Sequence, residues 1–260
     1  MKNSGETNQF EHDNQGSRQT TSRRGFVGQC SAGLAMASAA GRLLAKSPAR
    51  RFPAVTLTSE AGRPLECSDL DPNREYIFHY PFKSTPCFLI NLDKPLAGGQ
   101  TLDRQDGSTY TWLGGVGPQQ SVVAFSAICA HKLSHPSPAV SFIGYREQAV
   151  GFYNQKTKLV EQRSSVIQCC SEHSLYDPAA GARVLSGPAP QPLAAIELHE
   201  QDGRLTAVGV YGGALFERYF EQFGNRLMIQ HKGESYADAV ESESVVLPGD
   251  VYTSNRIECS

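Results

Sequence analysis

Two short stretches of this 260-residue chain place a thiol close to an imidazole: Cys129-Ala130-His131 and Cys170-Ser171-Glu172-His173. Thiolate is a soft ligand and neutral imidazole a borderline one, so two of each can hold a metal centre. Two chemistries fit these four side chains. One is a tetrahedral zinc ion. The other is a two-iron, two-sulfide cluster in which the thiolates hold one iron and the imidazoles hold the other. Neutral imidazoles leave such a cluster with less negative charge than four thiolates would, so it accepts an electron more readily. The spacing within the two boxes leaves the choice open.

Ligands need a rigid support, and the flanking sequence predicts one. The first box follows an apolar, β-branched stretch at 122–128, and the second follows Ser165-Val166-Ile167. Each box is therefore expected on a loop leaving a strand, where a β scaffold presents side chains at fixed separation. Further strand-like stretches surround Val55, Ile77, Leu89, Trp112 and Ile196. The segments 195–199 and 204–208 flank Asp202-Gly203, a hairpin turn signal. Residues 214–223 read as one short amphipathic helix. The fold predicted is all-β and mainly antiparallel, with no internal repeat.

The residues after the second box discriminate between the two metals. Tyr176-Asp177-Pro178 leads to Gly181, and Gly187-Pro188-Ala189-Pro190 precedes Leu193. Over residues 110–210 the chain resembles the Rieske iron–sulfur family. That resemblance implies an antiparallel β-sandwich carrying a cluster-binding subdomain, with one 2Fe–2S cluster per chain. Cys129 and Cys170 would then ligate the buried iron, and His131 and His173 the outer one. It also implies an electron-transfer protein, akin to the iron–sulfur subunit of quinol–cytochrome c reductases or the small subunit of arsenite oxidase. Its partner would be a cytochrome or a catalytic oxidoreductase subunit.

The chain departs from the family pattern at several places. Quinol-oxidising members carry a disulfide between the position three after the first His and the position just before the second. Here those positions hold Ser134 and Glu172. The family's Ser and Tyr, two and four residues after the second His, appear as Ser174 and Tyr176, each one residue early. Hydrogen bonds to sulfur raise a cluster's potential and a nearby carboxylate lowers it, so Glu172 argues for a potential below that of the quinol-oxidising members. The stretch 133–169 is long for the family. Its segments 142–145 and 149–153 read as an inserted hairpin whose aromatics dock onto the chain's own core or onto a partner.

The N-terminus carries Ser22-Arg23-Arg24-Gly25-Phe26, which matches a twin-arginine export signal, followed by an Ala- and Gly-rich apolar stretch. Residues 1–45 therefore read as a leader, either cleaved or kept as a membrane anchor. They direct the protein to the periplasm, where it would be soluble or anchored to the inner membrane. The twin-arginine route carries proteins that fold around a cofactor before export, in keeping with a metal cluster. Residues 53–212 read as the cluster domain and 213–260 as a C-terminal extension, of which 232–260 read as solvated with one short docked strand.

Formal net charge is −2, and beyond residue 45 the remainder is more acidic. No basic stripe is present to neutralise phosphates, which argues against a nucleic-acid partner. The seven cysteines are too few and too scattered for a disulfide scaffold. Cys169 reads as a small buried hydrophobe, Cys67 and Cys87 as a conceivable pair, and Cys259 as a fastener for the tail. His79, His135, His199 and His231 show no ligand spacing.

Two rival functions remain. A Rieske oxygenase would need a second iron held by two His and one carboxylate. Beyond His173 the chain offers only His199 and His231, far apart. A zinc-stabilised binding module would use the same four ligands and transfer no electrons.

Overall fold

In the computed structural model the described residues are 48–154, 157–212, 214–233 and 235–259. The leader with Arg23 and Arg24 lies outside them. The described residues belong to a single compact unit. Its strands are β1 (Arg50–Thr58), β2 (Glu75–His79), β3 (Pro86–Asn91), β4 (Ala97–Asp103), β5 (Thr109–Gly114), β6 (Val122–Ser126), β7 (Ile143–Arg146) and β8 (Val150–Asn154). They continue with β9 (Leu159–Arg163), β10 (Val166–Cys169), β11 (Ser174–Asp177), β12 (Arg183–Ser186), β13 (Ala195–Gln201) and β14 (Arg204–Tyr211). After the helix α1 (Leu215–Gln230) come β15 (Glu243–Val245), β16 (Leu247–Pro248) and the single turn α2 (Gly249–Tyr252).

The architecture is all-β, as the sequence predicts. An eight-stranded sheet runs β15-β1-β14-β13-β6-β3-β2-β16, and a four-stranded sheet runs β12-β11-β10-β7. The pairings are antiparallel except β1 with β15. β13 and β14 form the expected hairpin, and Asp202 and Gly203 at its tip both take positive φ (52° and 79°). That pair of left-handed residues is what a tight two-residue turn between twisted strands requires.

Side-chain alternation divides the centre of the large sheet between two apolar cores. From β3, Cys87 and Leu89 enter one core while Phe88 and Ile90 enter the other; from β6, Val122 and Ala124 separate from Val123 and Phe125 in the same way. Both faces of these strands are therefore covered, which is why they read as unbroken apolar runs. The first core is closed by Leu215, Phe216, Tyr219 and Leu227 of α1. The second is shared with Leu102, Tyr110 and Trp112 of the β4–β5 hairpin and with Ile143, Tyr145, Ile167 and Tyr176 of the smaller sheet.

Three expectations are revised. The helix extends beyond Phe223 to Gln230 because Gly224 is used for close packing: a Cβ there would meet the Tyr236 hydroxyl at 2.8 Å. The stretch 133–169 is not one hairpin. β7 joins the small sheet by pairing with β10, while β8 pairs with β9 and leaves Tyr153, Leu159 and Val160 exposed. Thirdly, the tail is woven into the domain instead of lying in solvent. β15 pairs with β1, β16 pairs with β2, and Arg256 meets the buried Glu75 carboxylate at 2.7 Å.

The end of β2 carries His79, whose Nε2 lies 3.2 Å from the Tyr252 hydroxyl of α2. Burial, with a smaller contribution from His231, pulls its pKa down to about 4. In the unfolded chain His79 would titrate near ~6.5. As pH falls from that value toward about 4, the unfolded chain gains a proton that the folded chain refuses, so stability falls. The expected slope from this one group is on the order of 1 kcal/mol per pH unit. Urea unfolding of wild type and His79→Gln across this window checks it, and the variant should show the shallower loss.

Candidate metal centre

Both boxes sit where strands of the second core end. The first leaves β6 and closes on itself: Leu133 N–H donates to Cys129 O at 3.0 Å, and Cys129 N–H donates to Ser134 O at 2.9 Å. This small ring points Cys129 into the core, where it is 1% exposed. The second box occupies the turn from β10 to β11, with Cys169 and Ser174 facing each other in register. Gly187 packs over that turn with φ of 86°, and a Cβ there would lie 2.6 Å from His173 O and Ser174 Cα. The Gly187-Pro188 loop can lie this close to the turn only because it begins with glycine.

Tyr176 ties the two boxes together. Its hydroxyl accepts from Ala130 N–H at 3.2 Å and lies 3.3 Å from Cys129 Sγ. With its acceptor side used by the amide, the phenol is left to donate to sulfur. Next along the strand, buried Asp177 accepts from Arg163 at 2.7 Å and from Ala179 N–H at 3.2 Å, holding the end of β11 in place.

Cys129 is paired with Cys169, not with Cys170. The Cys129 and Cys169 thiols hydrogen bond to each other within the second core. Adjacent residues leaving a strand project to opposite sides, so only one of these consecutive cysteines can face Cys129. Cys169 shares the inward side with Ile167. Cys170 turns toward the C-terminal tail and forms a disulfide with Cys259. Arg146 reinforces that side by donating to Ile257 O at 2.6 Å. The Cys169 hydrogen bond, with those of Tyr176 and of the His131 and Lys132 amides, holds Cys129 below the ordinary thiol range despite its burial. Cys169 is held well above that range by the same contact and by burial.

Two polar atoms beside the thiol pair have no hydrogen-bond partner among the described residues: His131 Nδ1 and Ser174 Oγ. The nearest charged group to His131 Nδ1 is Glu172 Oε2 at 3.7 Å, too long for a hydrogen bond. The other carboxylate oxygen of Glu172 lies 3.1 Å from Lys132 Nζ. Ser134 Oγ and Ser171 Oγ stand 2.7 Å apart, closing the gap between the two loops.

The predicted set Cys129, His131, Cys170 and His173 is thus only partly assembled. Cys129 and His131 share one loop with the expected orientation. Cys170 is spent in the disulfide, which corrects its assignment as a free thiolate. His173 is exposed and takes a left-handed backbone conformation (φ 57°) at the turn. Among the described residues no three His, Cys, Asp or Glu side chains stand close enough together to hold a metal as they are. The four residues as first paired therefore do not fit a two-iron cluster. The thiol that Cys129 pairs with, beside the donor Tyr176, is that of Cys169.

Sequence reasoning passed over Cys169 because its neighbour gave the more familiar spacing to His173. The signal that could have found it was the one-residue offset of Ser174 and Tyr176. Counted from Glu172, they fall two and four residues on, and Ser134 meets Ser171 just before it. The remaining candidates are structural. His135 Nδ1 donates to Leu133 O at 2.9 Å, and the ring packs edge-on against Tyr219 and Phe223. Cys87 is buried with its thiol on Tyr80 O, and Cys67 is unpaired.

No family model matches the sequence. Among solved structures, the soluble domain of Rieske protein II from Sulfolobus acidocaldarius is similar at 23% identity, over 61% of this chain and 78% of that one, with a TM-score of 0.38.

The Cys170–Cys259 bond closes a loop across a sequence separation of 89 residues. Cross-links of long loops restrict the unfolded chain strongly, and losing this one should cost about 2–4 kcal/mol. Cys259→Ser, followed by urea unfolding, checks the value. Reductant should lower the wild type to the level of the variant and leave the variant unchanged.

Proposed function

We propose that this chain is a Rieske-type electron-transfer protein that works outside the cytoplasm. The observation that carries the reading is the buried Cys129–Cys169 thiol pair, set between two strand-end loops and ringed by donors to sulfur. A 2Fe–2S cluster, when bound, supplies one reversibly held electron. Cys129 and Cys169 would hold it, with His131 completing the first loop's contribution.

The chain's own groups are suited to that task. The Tyr176 hydroxyl and the His131 and Lys132 amides point positive ends of dipoles at sulfur. Such donors stabilise added negative charge in a site that water does not reach. They are already oriented by the β6 loop and by β11, so little rearrangement accompanies a change of charge. The Gly187-Pro188 loop covers the second turn. His131, whose side chain is about a quarter exposed (26%), lies on the route from the thiol pair to the surface where a redox partner would dock.

Export follows from Arg23-Arg24 in the leader, and the periplasm would be the place of action. The acceptor proposed is a cytochrome or a catalytic oxidoreductase subunit, which makes this chain a respiratory subunit passing single electrons. The mildly acidic body suits a basic partner. The rival oxygenase reading gains nothing, since His199 is paired with Glu197 at 3.2 Å on β13, away from both boxes.

The test is low-temperature EPR of the full chain produced with iron and sulfide, then reduced with dithionite. Expected is a rhombic signal whose average g lies below that of an all-cysteine ferredoxin, with iron and sulfide in equal amounts. A silent protein that carries zinc would overturn electron transfer. In the loaded protein, Tyr176→Phe removes one donor to sulfur and should lower the midpoint potential without loss of iron. An unchanged potential would remove Tyr176 from the tuning of the site.

A further inference from the structure

A cavity of about 490 Å³ opens between α1, the loop that follows the first box, and the turn α2. Its lining includes His79, Lys83, His135, Tyr219, Arg226 and Tyr252, with no aspartate or glutamate, and none of Cys129, His131, Cys169 or His173 reaches it. Hollows of this size with a few convergent polar groups are where small molecules bind. We propose that this cavity is a binding site for a small aromatic acid, a carboxylate on a flat ring system that also carries a hydroxyl. The proposal stands apart from the electron-transfer reading, and neither falls with the other.

Charge selects the carboxylate. Arg226 is exposed at the cavity, and its side chain has no ion pair or hydrogen bond among the described residues. A cation late in a helix often serves the helix dipole. Here the last turn of α1 holds no basic residue, so Arg226 lies before the stretch where that service counts. Its charge is felt by both His135 and Tyr219 on the cavity wall. The second cation, Lys83, is met by Asp238 at 3.5 Å in an exposed pair of little strength. Arg226 is therefore the group left to receive an anion, and its planar fork matches the two oxygens of a carboxylate.

The walls select the flat body and the histidines select the hydroxyl. Tyr219 is buried, and the His135 ring stands edge-on to it with centroids 4.9 Å apart, so the cavity is bounded by rings that favour an aromatic guest. Burial keeps His135 uncharged near neutral pH, and its Nδ1 proton goes to Leu133 O. A neutral imidazole has one N–H, so Nε2 is left as a bare acceptor for a ligand hydroxyl. His79, also uncharged near neutral pH, shares one hydrogen bond with the Tyr252 hydroxyl. The pair holds two such protons and that bond uses one. Whichever ring nitrogen is protonated, one donor remains on the cavity wall for a ligand oxygen.

The experiment is isothermal titration calorimetry of the full chain near neutral pH with hydroxynaphthoate, naphthoate, naphthol and inorganic phosphate. Wild type, Arg226→Gln and His135→Phe are compared, and circular dichroism checks their folding. Expected is saturable binding of hydroxynaphthoate, one per chain, tighter than that of naphthoate, naphthol or phosphate. Arg226→Gln, a change at an exposed position, should weaken it by roughly tenfold or more, since a hydrogen bond between charged groups is lost. His135→Phe keeps a flat ring against Tyr219 and removes the acceptor. It should abolish the preference for hydroxynaphthoate over naphthoate and leave naphthoate binding in place.

A wild type that binds none of the four saturably would overturn the site. Naphthol binding as tightly as hydroxynaphthoate would overturn the acid, and phosphate binding as tightly would overturn the aromatic body. Binding untouched by Arg226→Gln would put the ligand elsewhere and overturn the proposal as well. If one variant does not fold, the other still decides, because each removes a different predicted contact. The titrations read binding alone, so a chain that binds the acid yet gives no rhombic EPR signal upholds this site and loses only electron transfer.

Discussion

The candidate site depends on the choice made at the end of β10, where two consecutive cysteines must go to opposite sides. Cys169 goes inward, to the core that already holds Cys129, Phe125, Ile167 and Tyr176. Cys170 goes outward, to the tail. Had the strand ended one residue later the roles would be exchanged, since a shift of one residue moves every side chain to the other face. Register in the small sheet is therefore a chemical decision as well as a structural one. It is enforced by the pairing of Cys169 with Ile143 on one side and Ser174 on the other.

The outward cysteine gives the C-terminal tail its role. Chain termini commonly fray, but residues 243–259 do not lie free. They are held by β15 against β1, by Arg256 on Glu75, and by Cys259 on Cys170. Glu75 is almost fully buried, and burial raises its pKa against the opposing pull of Arg256 and of the Tyr145 amide. That carboxylate also accepts from the backbone of β7, the strand that flanks β10. The tail thus supports the strand that presents the second box, through one covalent link and one buried ion pair. Breaking the ion pair would leave a costly unpaired charge on buried Glu75.

Much of this was legible in the sequence because it rests on local rules. The strands are apolar, β-branched runs; the Asp202-Gly203 turn carries its own signature; and Cys129-Ala130-His131 follows its strand closely. The loop of Gly187-Pro188 was legible too, since a glycine before proline at that point has a use only where backbone comes close to backbone. What could not be read was set by partners distant in sequence. The fate of Cys170 is decided by Cys259, 89 residues away. The helix continues through Gly224 because Tyr236 needs the space. The aromatics of 142–153 separate into different layers because β7 finds β10, which no local pattern announces.

The position of the charges follows from the same geometry. Within the second core the sulfur atoms are surrounded by apolar side chains, where a negative charge is costly unless donors face it. The structure supplies those donors from Tyr176 and from the amides of the first loop, all held by elements that also form the core. Glu172 and Lys132 lie outside it, about half exposed, where charge is cheap. The Cys129 sulfur therefore sits among fixed dipoles held by the core, with mobile charged groups at the core's exposed edge.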